Sequence, residues 1–142
     1  MSAENISVLK VQDVLLVTVP PDPDDATVSA LQHEVLQAMM RHDATRLVLD
    51  ISTVQTLDSF FARIVTETVQ MVTLMGGRTV VAGMRPNVAV IATQLGLTLG
   101  HAETALDVDR AFERLREAPI AGPAPPSPRA RAVESPPFRK AA

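Results

Sequence analysis

A chain of 142 residues and 15.2 kDa has room for one domain and a tail. Hydrophobic residues make up 46%, enough for a buried core, and the net charge of −3 offers no footprint for nucleic acid. The absence of cysteine excludes disulfide staples and thiolate metal sites.

The start, Met1-Ser2-Ala3-Glu4-Asn5, has neither the basic n-region nor the apolar h-region of a signal peptide. No apolar run approaches the roughly 18 residues of a membrane span. A cytoplasmic protein with no membrane role is the expectation. "ISVLKVQDVLLVTV" holds two β-branched runs around Gln12-Asp13, which predicts a hairpin. "DPDDATVSALQHEVLQAMMRHD" reads as a helix, with Val28, Leu31, Val35, Leu36 and Met39 at helical spacing. Asp24, Asp25 and Thr27 supply charge and capping near its start. "RLVLDIS" is a short apolar strand suited to burial on both faces.

The next segment, "TLDSFFARIV" and onward, reads as a helix that stops at Gly76-Gly77. "RTVVAG" is a further strand. "RPNVAVIATQLGL" opens with Pro86, suited to a first helical turn, and ends near Gly96. "HAETA" is a short edge strand, and "DVDRAFERLREA" a last helix capped by Asp107. Helices join the last three strands, which requires parallel pairing with right-handed crossovers. The fold class is α/β: a small mixed β-sheet with helices packed against it.

Composition changes after Ala118. Of the eleven prolines, seven follow it: Pro119, Pro123, Pro125, Pro126, Pro128, Pro136 and Pro137. Few apolar residues accompany them, so the stretch cannot bury enough surface to offset its ordering entropy. Residues 118–142 read as a disordered proline-rich tail. Arg129, Arg131, Arg139 and Lys140 against Glu134 give it a net +3, which leaves −6 on the body. Removing 118–142 is expected to leave the melting temperature unchanged; a fall of several degrees in a thermal melt would show that the tail packs on the body.

Ser59 allows three readings: a helix cap, a nucleophile, or a residue modified by a partner. Asp58 sits where an N-cap belongs with Ser59 at the first helical position, or Ser59 is itself the cap. Phe61, Ile64, Val65, Thr68, Val72 and Met75 share one side of the helix and can face a core. The opposite stripe is Ser59, Arg63, Glu67 and Gln70. A phosphate on Ser59 would meet the positive helix start and Arg63 one turn on, beside Phe60 or Phe61 at the surface. Catalysis has little support. There is no G-x-S-x-G elbow, and His33, His42 and His101 lie on unrelated segments.

Strand "LVLDIS", "VQTLDSFFARIV", a helix ending "LMGG", strand "RTVVAG" and "MRPNVAVIATQLGL" together resemble the STAS domain of anti-sigma-factor antagonists. The match is closest to the RsbS-type scaffold of bacterial stressosomes, and it covers about residues 5–117. The resemblance implies a STAS domain over 1–117, followed by the tail. It also implies that Ser59, the serine after the aspartate, is phosphorylated by a serine/threonine kinase of the GHKL type. Unphosphorylated, such an antagonist sequesters the kinase; phosphorylation releases it toward a sigma-factor switch. The surface offered to the kinase would then include Asp58, Phe60, Arg63, Glu67 and Arg85. Sensor paralogues that share the STAS domain would co-assemble with it in a large hetero-oligomer. Those sensors carry a second phosphorylatable threonine where Ile91 stands here, and an N-terminal sensor domain for which this chain has no room. Both departures favour the scaffold type. The family's direct antagonists usually have glycine soon after the serine; here Phe60-Phe61 follows.

No cofactor is implied, and no enzyme activity. Two alternatives stay open: a STAS accessory subunit of a lipid-transport ABC system, and a small nucleotide-binding α/β enzyme. Asp50 reads as a partner for nearby loop amides, with a cleft acid as the other possibility. Gly83-Met84-Arg85-Pro86 is either an anion-binding nest or a strand-to-helix turn. Gly76-Gly77 lacks the G-K-[ST] of a phosphate loop. Asp22, Asp24 and Asp25 lack calcium-loop spacing.

Overall fold

The computed structural model describes residues 6–96, 99 and 102–117. Along them run β1 Ser7–Val11, β2 Val14–Thr18, α1 Asp25–His42, β3 Arg46–Asp50, α2 Ser59–Leu74, β4 Arg78–Ala82, α3 Pro86–Gln94, β5 Glu103–Ala105 and α4 Val108–Arg116. The proline-rich stretch 118–142 and His101 lie outside the described residues.

The strands form one sheet in the order β1-β2-β3-β4-β5. β1 and β2 make the antiparallel hairpin expected around Gln12-Asp13. β3, β4 and β5 pair in parallel, and the α1 crossover makes β2 parallel to β3 as well. Alternation along the strands divides the core in two. Leu15, Val17, Leu47, Leu49 and Val81 face α1, α2 and α3. Val14, Val48, Val80 and Ala82 face Ala111 and Leu115 of α4. This is why β3 is apolar at Leu47, Val48 and Leu49 in succession: all three are buried, on opposite faces.

Helix ends follow their signals. Asp24 caps α1, accepting from the Thr27 amide at 2.8 Å. The Thr27 hydroxyl, then its amide, hold the Asp24 carboxyl below the ordinary carboxylate range. That contribution to stability is present at neutral pH and fades as pH falls through the lowered value. Asp107 caps α4 through the Arg110 amide at 2.8 Å. α2 stops because Gly76 takes a left-handed conformation (φ 88°) that side-chain-bearing residues resist.

Two packing expectations are corrected. Met75 was placed on the core face of α2, but the helix ends at Leu74 and Met75 is 49% exposed. Leu36 is only half-buried on α1, and the smaller Ala38 takes the buried position. Among the described residues, no helix is long and apolar enough to cross a membrane.

Candidate functional site

The start of α2 resolves the ambiguity over its cap. Asp58 has extended backbone angles, and its Oδ1 accepts from the Phe61 amide at 2.8 Å. Asp58 is therefore the N-cap and Ser59 the first helical residue. The side chain of Ser59 is exposed, and among the described residues nothing hydrogen-bonds its hydroxyl. The two phenylalanines part company. Phe61 is 4% exposed and belongs to the core, so it is not a surface group; Phe60 is half-buried at the rim. Arg63 is exposed, with its guanidinium carbon 5.4 Å from the centre of the Phe60 ring. Ser59, Phe60 and Arg63 line one shallow recess. Further down the stripe, Gln70 is exposed and Glu67 half-buried.

The loop from β3 to α2 is tied down on several sides. The Ile51 amide donates to Ala82 O at 3.0 Å, continuing the sheet, and the Val54 amide donates to Ile51 O at 3.0 Å. The Thr53 hydroxyl donates to Val19 O at 3.1 Å. Asp50 Oδ1 accepts from the Ser52 amide at 3.0 Å, the loop-amide role expected of it. Ile51, Val54 and Leu57 are buried beneath. From the other side, Arg85 Nε donates to Ser52 O at 2.7 Å and Asn87 Nδ2 to Gln55 O at 3.1 Å. Gly83 (φ 81°) lets the two loops meet: a Cβ there would lie 2.7 Å from Ser52 Cβ. The stretch 83–86 is thus a strand-to-helix turn that clamps its neighbour. Arg85, expected to face a partner, bonds the loop leading to Ser59 and stays exposed beyond it. Asn87 was missed, because a bond from a side chain to a distant carbonyl leaves no pattern in sequence.

The other hydroxyls near Ser59 are mostly engaged. Thr66 donates to Ala62 O at 2.8 Å and the buried Thr68 to Ile64 O at 2.7 Å; Thr56 is exposed. His33 and His42 share α1 and are not on unrelated segments. His42 ends that helix just before β3, whereas Ser59 follows the far end of β3. Among the described residues, no group of three or more His, Cys, Asp or Glu could hold a metal.

A model of the STAS domain family matches residues 5–111. None of the curated proteins matches in sequence. Among solved structures, RsbS of Moorella thermoacetica, in a form with a serine changed to glutamate, is similar with a TM-score of 0.72 and 29% identity, covering 80% of this chain and 96% of that one. A chain of the stressosome, there called a signal integration and transduction hub, gives a TM-score of 0.70 and 31% identity, over 78% of this chain and 96% of its own. The anti-sigma factor antagonist SpoIIAA in its unphosphorylated form shares the fold, with a TM-score of 0.66 at 17% identity, over 82% and 99%. The chain belongs to the STAS domain family, and its structural neighbours include the stressosome protein RsbS and the anti-sigma-factor antagonist SpoIIAA.

Proposed function

We propose that the protein is a non-enzymatic stressosome scaffold and antagonist in the cytoplasm. Unmodified, it holds a serine/threonine kinase of the GHKL type; phosphorylated on Ser59, it lets the kinase go. The observation that carries this reading is the state of the Ser59 hydroxyl, exposed and, among the described residues, unbonded while Asp58 does the capping. A serine needed for the helix would be engaged; this one is free for chemistry. In the transfer, Ser59 Oγ bonds the γ-phosphorus of ATP, the bond to ADP breaks, and the hydroxyl proton passes to a base on the kinase.

The relatives support the reading. RsbS has been solved with a serine changed to glutamate, and SpoIIAA in both unphosphorylated and phosphorylated forms. Asp58, Phe60, Arg63 and Glu67 flank Ser59 along α2 and are the surface offered to the kinase, with Arg85 at its margin. The loop before Ser59 is held by Val19 just past β2, by Ala82 of β4, and by Arg85 and Asn87 at the start of α3, so a kinase meets a preformed surface. Sensor STAS paralogues complete the assembly.

Incubation with the partner kinase and ATP is expected to place phosphate on Ser59 and not on Thr56, Thr66 or Thr68. Thr66 and Thr68 are bonded back to their own helix, and Thr56 lies outside it. Peptide mapping by mass spectrometry reads the site. Full labelling of a Ser59→Ala variant would refute the assignment.

A further inference from the structure

Among the described residues, Arg63 carries a charge that no carboxylate answers. Among the described residues, the ion pairs are Arg78–Glu103, Arg110–Asp107 and Arg114–Glu103. Glu67, one turn further along α2, does not pair with Arg63. An acid placed C-terminal to its base is the poorer order for such a pair. Helical side chains also lean toward the start of their helix, which takes Arg63 back over the turn carrying Ser59 and Phe60. There the guanidinium sits 5.4 Å from the Phe60 ring, held by the ring's negative face.

Resting on the reading of Ser59 as the modified residue, we propose that Arg63 is a clasp for a phosphomonoester on Ser59, parked on Phe60 until the phosphate arrives, so that phosphorylation uncovers the Phe60 ring. Ser59 and Arg63 stand four residues apart, which puts their Cβ atoms about 5–6 Å from each other. A guanidinium forks onto phosphate oxygens with two charge-assisted bonds, a stronger attraction than an exposed ring provides. The other charges near Ser59 do not displace it. Asp58 is engaged by the Phe61 amide. Glu67 repels phosphate, and the Arg85 Nε is committed to Ser52 O. Modification thus does two things at once on the recess that Ser59, Phe60 and Arg63 line: it adds negative charge and bares an aromatic face.

The test uses the full chain with phosphoserine built in at position 59 by genetic encoding, so it runs whether or not any kinase writes that residue. In NMR spectra of the unmodified protein, the Arg63 side-chain protons are expected upfield, shielded by the Phe60 ring; with phosphoserine that shift is expected to be lost. Phosphorus NMR then follows the phosphate's second ionisation, ordinarily near about 6. It is expected about half a pH unit or more lower in the parent sequence than in Arg63→Gln. Phe60→Leu, which removes the competing ring, lowers it at least as far as in the parent. An upfield shift of Arg63 that persists with phosphoserine would overturn the proposal. So would identical phosphate titrations with and without Arg63.

Discussion

Ser59→Asp is expected to weaken capture of the kinase at least tenfold, about 1.4 kcal/mol, while Ser59→Ala holds the kinase and resists its release by ATP. The fold is indifferent to both changes. Asp58 holds the cap, so alanine at 59 removes no bond and is a good helix former. Aspartate in the first turn complements the helix dipole. Thermal melts of the three proteins should therefore coincide within about 0.5 kcal/mol of stability. Binding differs because a charge added to a surface that becomes desolvated costs several kcal/mol, on the order of 2–5. Aspartate carries less charge than phosphate, which makes the alanine arm the sharper test. Titration calorimetry with the purified kinase measures both. Equal affinities for the parent and the aspartate variant, with alanine still released, would place the switch elsewhere.

The largest effect on stability is expected at Arg78, far from Ser59. It ties the first residue of β4 to the sheet edge and to the last turn of α4. Its Nε and Nη2 donate to Glu103 Oε2 at 3.2 and 2.7 Å, and its Nη1 donates to Glu117 O at 2.8 Å. The side chains of Arg78 and Glu103 are only 19% and 10% exposed, and among the described residues the other ion pair of Glu103 is the longer one to Arg114, at 3.8 Å. Arg78→Met leaves the Glu103 carboxylate buried beside that distant partner and the end of α4 without its donor. The expected loss is about 3 kcal/mol or more in urea denaturation. Adding Glu103→Met should recover most of it, because replacing both members of a buried pair is far milder than removing one. A double variant as unstable as the single one would mean that the carbonyl contacts, not the ion pair, carry the cost.

Much of this architecture was legible in the chain because its signals are local. β-Branched runs mark the strands, Asp24 and Asp107 mark helix starts, and Gly76 marks a stop. Choices stayed open, and one error arose, where neighbouring residues are equally suitable. Asp58 and Ser59 both cap well, and only the bond to the Phe61 amide decides between them. Phe60 and Phe61 are the same residue type, and a turn of about 100° between successive helical positions buries one and leaves the other at the rim. Met75 extended the apolar spacing one step past the point where the helix stops. The long-range contacts, near the site and away from it, could not be read at all. Arg85–Ser52, Asn87–Gln55 and Arg78–Glu103 join positions 33, 32 and 25 residues apart, and two of the three end on backbone carbonyls, which every residue has. Ser59 itself was singled out by the family resemblance; spacing alone left its three readings open.

The sheet has the same order as the chain. Leu15 pairs with Leu47, Leu47 with Thr79, and Val81 with Thr104, each strand adding beside the one made before it. A strand leaving the ribosome therefore finds its neighbour already present, and none has to wait for a later segment to insert between two earlier ones. Parallel sheets are ordinarily slow to form, because distant segments must find each other before any contact rewards the search. Here the search is reduced to one helical crossover at a time. The exposed edge that would invite aggregation at each stage is the line on which the next strand lands, so assembly can keep pace with synthesis from the hairpin outward.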